Sequence, residues 1–587
     1  RSGNTDWAKE IFDTALMQNY NLSLSKGFKD GNVALTLNYM NQDGLCRNTD
    51  YERINSRLSS NFRFLNDKVR VGESIAVNYW TQHQTPEGIE ELVIAQHPAI
   101  PVYDENGGYA GGYVDILGDK ANAVRLTDME ANNRHKNWRI FGNAYLEIEP
   151  IKALVLKSSF GLNYSNGFNS TFVPKWQEGS RKVETNELTV REDNSLQWVW
   201  ANTINYAKDF GKHSINALIG MEAKKENGEH VQGYGRGLII EDLDYRYLDA
   251  VTDGKDVSNN SSSYAMVSYF GKVNYAYDEK YLVSGTLRRD ASSRFGNGNN
   301  SAIFPSVSAG WRISRENFME TTSNWLSDLK LRASWGINGN DMIDNSATYS
   351  LYYVDMNTGS YNFSGDGKTL SPGVIKTMSG NNNSKWEQTE QFNIGIDAAF
   401  LDNRLGVTMD YFKKKTKDML IQKPYIAAIG EGGYKWYNAA SMDNNGVEAT
   451  ITWHDKINDF NYEVAFNVSY YHNEITDLPE EVKYTWGGGD GISKTIIGQS
   501  YGSWMAYKTD GIFRTKEEVY EYLSKYDVQV GEPGVGRIRY KDLNGDGKIN
   551  TADRDWMGSD QPKVIAGLNL SASWKGFDLS LFFNGMI

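Results

Sequence analysis

The sequence is poor in several residues on which common folds and active sites depend. It contains a single cysteine, Cys46, in 587 residues, which excludes an internal disulfide and a four-cysteine zinc site. Its seven histidines stand singly and form no metal-binding spacing. No run of about 18 apolar residues occurs, which excludes a membrane-spanning helix. With only 11 prolines, the chain is also unlike a disordered or collagen-like polymer.

Positive charge is also scarce. Lysine and arginine total 61 against 74 aspartate and glutamate residues, a formal net charge of −13. This balance argues against a nucleic-acid-binding protein. No phosphate-binding loop or nucleophile-elbow motif is present, and carboxylate pairs such as Glu90-Glu91 are typical of solvated loops. We therefore predict that the protein is not an enzyme.

Aromatic residues and glycine are abundant, with 36 Tyr, 23 Phe, 16 Trp and 56 Gly. Apolar residues alternate with polar ones at period two in many segments, which predicts β-strands with two unlike faces. Predicted hairpins pair the following segments: 58–64 with 69–79, 144–149 with 154–162, 198–206 with 214–221, 264–277 with 281–289, 392–400 with 404–413, and 447–453 with 460–470. Two short helices are predicted, after the cap at residues 4–6 and over residues 515–523.

The connections between these strands are of two kinds. Short polar turns such as 278–280 and 401–404 alternate with long polar linkers such as 81–137, 165–194, 224–262 and 341–383. Aromatic residues end many strands, for instance Tyr79-Trp80 and Tyr470-Tyr471, as in interfacial girdles. We therefore predict an all-β fold, a large transmembrane antiparallel barrel with short periplasmic turns and long extracellular loops. A soluble β-sandwich or a propeller is the alternative, and a propeller's repeat of about 40–50 residues is missing.

Several motifs carry a family resemblance. The most specific is LRRDASSRFG at residues 287–296, followed by FPSVSAGWRI at 304–313. LKLRASWG at 329–336, WEQT at 386–389, NGVE at 445–448 and GFDLS at 576–580 continue it, and TDW at 5–7 looks like the entry from plug into barrel. In these motifs the chain resembles the SusC/RagA family of TonB-dependent outer-membrane transporters.

The resemblance implies a barrel of about 22 strands that holds a plug. It makes residues 1–587 a receptor barrel domain, with the plug, an N-terminal extension and the last strands expected outside this sequence. It further implies TonB-dependent import of oligosaccharides or peptides across the outer membrane of a Gram-negative bacterium, with a SusD-like lipoprotein lid. TonB would be contacted through a segment that is not in this sequence, and outer-membrane lipid would surround the barrel. Charged strand residues would line the interior: Arg288, Arg289, Arg294, Arg312, Arg332, Asp290 and Asp397.

A calcium-loop pattern occupies residues 542–553. Oxygen ligands are predicted from Asp542, Asn544 and Asp546 at positions 1, 3 and 5, and from the Lys548 carbonyl at position 7. Position 12 is Asp553 in place of the usual glutamate, which shortens the last ligand arm. We predict a Ca²⁺ site here, and the alternative is an Asx-rich turn without metal.

Aromatic residues beside glycine in the loops are the predicted ligand contacts, because flat rings stack on sugars or peptide side chains at little conformational cost. They are Tyr434, Trp436, Tyr437, Trp486, Tyr109 and Tyr113. The alternative is that these rings pack the loops together. For the whole protein, the rival functions are a passive outer-membrane porin or adhesin, or a soluble carbohydrate-binding β-protein.

Overall fold

The computed structural model describes residues 4–112, 117–118, 120–355, 359–365, 367–424 and 433–587. Within them the chain forms 28 strands and four short α-helices. The helices are α1 (Trp7–Ile11), α2 (Ile89–Ala95), α3 (Ala123–Glu130) and α4 (Lys516–Lys525). No helix in this described part is long and apolar enough to span a bilayer.

The strands are long where they belong to the main sheet and short elsewhere. The first eleven are β1 (Met17–Phe28), β2 (Gly31–Asp43), β3 (Asp50–Phe64), β4 (Val69–His83), β5 (Arg134–Ile151), β6 (Leu154–Val173), β7 (Trp176–Glu178), β8 (Arg181–Val183), β9 (Glu187–Phe210), β10 (His213–Arg236) and β11 (Asp253–Tyr277). Then follow β12 (Tyr281–Ser292), β13 (Ser301–Arg312), β14 (Leu326–Asn340), β15 (Leu351–Asp355), β16 (Gly373–Met378), β17 (Glu387–Phe400), β18 (Leu405–Pro424), β19 (Tyr434–Ile457) and β20 (Phe460–Asp477). The last eight are β21 (Ser503–Tyr507), β22 (Thr509–Ile512), β23 (Asp527–Val528), β24 (Ile538–Tyr540), β25 (Lys548–Ile549), β26 (Arg554–Ser559), β27 (Val564–Trp574) and β28 (Phe577–Met586).

Twenty of these strands form one large sheet. Its pairs are antiparallel where β1 meets β2, β14 meets β17 and β20 meets β27, whereas β16 and β19 pair in parallel. The remaining eight form four two-stranded sheets, β7 with β8, β21 with β26, β22 with β24 and β23 with β25. The chain divides into two compact units. Unit 1 comprises residues 1–205 and 220–267, and unit 2 comprises residues 206–219 and 268–587.

In unit 1 the sheet has one apolar and one polar face. Leu24 pairs with Leu35, Leu35 with Leu58, and Leu58 with Ile75, so one row of leucine and isoleucine crosses four strands. Three of these four side chains are classed as exposed, Leu24 at 54%. In a soluble protein such a row would be covered by a second layer, whereas a bilayer accepts it directly. We call this side of the strands the apolar face and the opposite side the polar face.

Unit 2 repeats the pattern. Ile394, Tyr411, Val447 and Tyr470 form one row through successive pairings of β17, β18, β19 and β20, and all four are exposed. Their neighbours along each strand point to the polar face, among them Asn393 and Asp410. The period-two prediction is therefore confirmed at the level of individual side chains.

Strand connections also follow the predicted asymmetry. In unit 1, turns of two to four residues occupy 29–30, 65–68 and 152–153, and the opposite strand ends carry residues 84–133 and 174–186. In unit 2, short turns at 278–280, 401–404, 458–459 and 575–576 contrast with residues 341–386 and 478–563. Asp278 and Glu279 both have φ 53°, the left-handed pair that closes a tight hairpin in register with the strand twist.

The long connections have their own small cores. In unit 1 a cluster joins Trp7 and Ile11 of α1 to buried residues of α2, α3 and the connection around Cys46. The helix α1 therefore lies at the long-loop end of β1. From there β1 runs toward the short turn at 29–30. The role of this segment as the entry from a plug stays a prediction.

Both helix predictions are confirmed in type. Asp6 caps α1 by accepting the Lys9 N–H, and Thr515 caps α4 by accepting the Glu518 N–H. The Glu518 carboxylate accepts the N–H of Arg514 in return, so two otherwise unpaired donors are bound.

The strands are longer than the alternation predicted. The strand predicted over residues 198–206 is β9, which spans 24 residues, and β10 is as long. The predicted linker 224–262 is mostly strand, because β10 extends to Arg236 and β11 begins at Asp253. Near the long-loop end, both faces of these strands are polar. The strands therefore extend beyond the segments in which apolar and polar residues alternate.

A charge placed on the apolar face should destabilise the protein far more than one on the polar face. We expect Ile394→Arg to lower the free energy of unfolding in lipid by about 2–4 kcal/mol. Asn393→Arg, one residue away on the other face, should leave it nearly unchanged. The measurement is a urea titration of the protein in lipid vesicles. The folded fraction at each urea concentration is read from heat-modifiable migration on a gel. Equal costs for the two variants would contradict the assignment of faces.

Candidate functional site

Two of the predicted ligand aromatics, Tyr434 and Trp436, lie together at the start of β19. The Tyr434 hydroxyl and the Trp436 indole N–H both donate to the same oxygen of Asp344, at 3.0 and 2.8 Å. The Trp436 carbonyl accepts from Asn381 and Ser384. These contacts fasten the rings to the loop that precedes β17, so their polar ends are occupied and only the ring surfaces are available to a ligand.

Tyr437 and Trp486 are each engaged with neighbouring residues. The ammonium groups of Lys423 and Lys435 lie 5.1 and 5.4 Å from the centre of the Tyr437 ring, within cation–π range. Trp486 packs against the buried cluster that contains Ile475. Both rings therefore contribute to loop packing, and their contact with a ligand stays a prediction.

Tyr109 belongs to unit 1. Its ring centre lies 5.8 Å from that of Tyr103, and its hydroxyl donates to Asp128 at 3.0 Å. Burial, together with the Asp128 charge, raises the pKa of Tyr109 to about 12, so the hydroxyl stays protonated at neutral pH. The sixth predicted contact, Tyr113, lies outside the described residues.

The predicted calcium loop is a compact turn in unit 2. The N–H groups of Gly545 and Gly547 donate to the two oxygens of Asp542 at 2.7 and 2.9 Å. Asp553 is fully buried, and its oxygens accept the N–H groups of Leu543 and Asn550, both at 2.9 Å. Each terminal carboxylate of the pattern is therefore bonded to its own loop.

The residues between these two carboxylates form side-chain contacts with one another. The Asn544 amide donates to Asp546 at 3.1 Å, and Gly547 has φ +77°, the left-handed turn expected at position 6. Over the described ranges, no group of three or more His, Cys, Asp or Glu side chains is arranged to hold a metal ion. Calcium binding by Asp542, Asn544, Asp546, Lys548 and Asp553 stays a prediction.

The polar face of unit 2 carries an ion network. The Arg332 guanidinium donates to both oxygens of Asp397, at 2.7 and 2.9 Å, and to both oxygens of Asp410, at 3.1 and 3.0 Å. Bidentate pairs of this kind are rigid, which makes this part of the wall a fixed charged surface. Of the charged residues predicted to line the interior, Arg289 is an exception, since it alternates with Arg288 and shares the exposed side of β12 with Leu287.

A cavity of about 600 Å³ lies on the polar face of unit 1. Five stretches of consecutive residues form its wall, near the long-loop ends of the strands: 137–139, 165–167, 193–195, 228–230 and 260–262. The Trp80 ring of β4 also lines it. We call this the wall cavity. Trp80 is predicted as a girdle aromatic, but its even position on β4 places its side chain on the face opposite Tyr79 and Val77.

Known proteins resemble the chain along its whole length. It is 30% identical to TonB-dependent receptor P3 of Formosa agariphila over 613 residues, covering 100% of this chain and 58% of that protein. It is 27% identical to TonB-dependent receptor SusC of Bacteroides thetaiotaomicron over 605 residues, covering 99% and 58%. The chain thus spans 58% of the length of these relatives.

Solved structures agree with the fold. The RagAB peptide transporter superposes with a TM-score of 0.81 at 25% identity, over 100% of this chain and 63% of that chain. The siderophore receptor PiuA of Acinetobacter baumannii superposes with a TM-score of 0.51 at 12% identity and supports the fold alone.

These comparisons confirm the resemblance to SusC and RagA and the all-β barrel class. TonB-dependent receptors are outer-membrane proteins and not enzymes, as predicted for this chain. The model of the family described as "TonB dependent receptor-like, beta-barrel" matches residues 47–585. The chain therefore belongs to the TonB-dependent receptor-like β-barrel family.

Proposed function

We propose that the complete protein is an active importer of the outer membrane, which takes up oligosaccharides or peptides with energy supplied through TonB. The observation that carries this proposal is the family match over residues 47–585. The strands of this region expose leucine, isoleucine and tyrosine on one face, which agrees with it. The apolar face would meet lipid, and the polar face would line the route of the ligand.

The relatives support two ligand classes. RagAB is a peptide transporter, and the resemblance to SusC implies oligosaccharides. We propose Tyr434, Trp436, Tyr437, Trp486, Tyr109 and Tyr113 as contacts for either class, through ring surfaces rather than polar groups. The hydrogen bonds from Tyr434 and Trp436 to Asp344 would hold two of these rings in place before a ligand arrives.

A SusD-like lipoprotein is the proposed partner at the long-loop ends of the strands. Residues 84–133 in unit 1 and 478–563 in unit 2 offer extensive loop surface. Part of it is apolar, since Ile512 pairs with Ile538 on a two-stranded sheet and both side chains are more than half exposed. TonB would act through a segment outside residues 1–587.

A passive porin or adhesin would use the same two-faced strands, but the family match favours an energised receptor. The soluble alternative would need a second protein layer over the exposed rows of both units. Uptake distinguishes these functions directly.

Uptake should depend on TonB. In cells that express the full-length protein, we expect accumulation of radiolabelled ligand against a concentration gradient, with loss to the background of a receptor deletion when TonB is removed. The same cells lacking TonB should retain normal amounts of the receptor in the outer membrane, measured by immunoblot. Uptake that is equal with and without TonB would identify a passive pore.

We further propose that residues 542–553 bind Ca²⁺. The carbonyls of Gly547 and Ile549 accept N–H groups from Asp527 and Gln529, so the Lys548 carbonyl between them faces the opposite side. Each carboxylate oxygen also has a second lone pair beside its backbone hydrogen bond, which leaves it able to ligate a cation. The proposed ligands are those that the spacing predicts, with Asp553 in the twelfth position.

Calcium binding can be measured on the full-length protein in detergent. We expect calorimetric titration with CaCl₂ to give saturable heat, and Asp546→Ala to weaken the affinity at least tenfold because it removes a charged ligand at position 5. Glu521→Ala, on the exposed side of α4 and outside the loop, is the matched control and should bind as the wild type does. Absence of heat, or equal binding by both variants, would leave the loop as a metal-free turn.

A further inference from the structure

The wall cavity of unit 1 is lined mainly by amides and hydroxyls. Asn137, Ser165, Ser195, Asn260 and Ser262 contribute polar side chains, and none of them forms a side-chain hydrogen bond with any residue in the described parts of the chain. Each of these groups is both donor and acceptor. The cavity therefore presents unpaired groups of mixed polarity, which match a ligand whose own groups both donate and accept.

One flat apolar surface accompanies these groups. Trp80 pairs with Asn137 across β4 and β5, and its side chain faces the cavity without a hydrogen bond to any described residue. Gly167, opposite Asn137, leaves room beside it, since an added Cβ would approach only the Asn137 side-chain oxygen, at 3.0 Å. The Trp80 ring, with free space beside Gly167, therefore offers a flat surface on which a ligand ring can stack.

Few charged side chains line the cavity. Arg191 binds both oxygens of Asp193 through Nε, at 3.0 and 2.8 Å, and Arg139 donates from Nε to the Asn163 side-chain oxygen at 2.9 Å. Glu229 and His230 are the other two ionisable residues of the wall. Most of the wall is therefore formed by uncharged polar side chains, and one of its carboxylates, Asp193, is already bound by Arg191.

We propose that the wall cavity is a binding subsite for a neutral oligosaccharide, with Trp80 stacking on a sugar ring and the amides and hydroxyls binding its hydroxyl groups. This inference rests on the proposed import function and selects the saccharide class over the peptide class. Sugar hydroxyls donate and accept alike, and pyranose faces are flat and apolar, which is the combination that this wall offers. Its volume lies within the usual range of small-molecule sites.

The position of the cavity agrees with a site on the import route. It lies on the polar face, near the strand ends that carry the long loops, which are extracellular in outer-membrane barrels. In contrast, the loop aromatics Tyr434 and Trp436 direct their polar groups to Asp344. The wall cavity keeps its hydrogen-bonding groups available, and a ligand that fails to pair them would lose affinity.

Calorimetry on the full-length protein in detergent tests the proposal. The probes are two pools, neutral oligosaccharides from partial hydrolysates of plant, algal, fungal and bacterial polysaccharides, and a tryptic digest of mixed proteins. We expect binding heat with the saccharide pool only, and affinity about tenfold weaker in Trp80→Ala. Trp200→Ala, which removes an exposed tryptophan from the apolar face of β9, is the matched control and should bind normally.

A second variant separates binding from folding. Gly228→Leu fills the cavity without removing a wall group, since an added Cβ would meet the Ser262 hydroxyl at 3.3 Å. This variant should weaken saccharide binding at least as much as Trp80→Ala does. Heat-modifiable migration confirms that each variant is folded. Binding of the peptide pool instead, binding unaffected by both Trp80→Ala and Gly228→Leu, or no binding of either pool overturns the proposal.

The uptake assay distinguishes this proposal from the function on which it rests. TonB-dependent accumulation of peptides without saccharide binding would overturn the wall subsite and leave import intact. Saccharide binding that requires Trp80, without TonB-dependent accumulation of either pool, would support the subsite and contradict active import.

Discussion

The structure depends on one constraint, that every strand must pair its backbone while its two faces meet different surroundings. In hydrocarbon an unpaired N–H or carbonyl costs several kcal/mol, so long strands with continuous hydrogen bonding are required. The side chains then divide by position. Rows such as Leu24 to Ile75 in unit 1 and Ile394 to Tyr470 in unit 2 suit lipid, and the alternate positions are free to carry charge, amides and hydroxyls. Function is therefore confined to the polar face and the loops.

The polar groups on that face serve two purposes. In the Arg332 network every charge has a partner, and bonds to Asp397 and Asp410 fix the guanidinium plane. Such a satisfied network is rigid and has little left to offer a ligand. At the wall cavity, groups such as Asn137 and Ser195 have no partner among the described residues. The Arg332 network supports the wall, and the proposed subsite uses the side chains that the wall leaves unpaired.

Much of the fold could be predicted from the sequence, because period-two alternation records which side of a strand meets lipid. The hairpins, the short turns and the caps of α1 and α4 all followed from local patterns. The outer parts of β9, β10 and β11 could not be predicted in this way, since water surrounds both faces there and the alternation disappears. The role of Asp344 in holding Tyr434 and Trp436 was also hidden, because it joins positions 90 and 92 residues apart.

The wall cavity could have been found by applying the strand period to every aromatic residue. Tyr79 and Trp80 are adjacent in the sequence, and their position at the end of a strand predicts both as interfacial girdle residues. Alternation separates them, since Val77 and Tyr79 share the apolar face while Trp80 falls on the other side with Asn78. A tryptophan on the polar face gains nothing from lipid, and the Trp80 ring is only half-buried there. The membrane therefore does not explain the position of this ring, whereas the proposed saccharide subsite gives it a stacking partner.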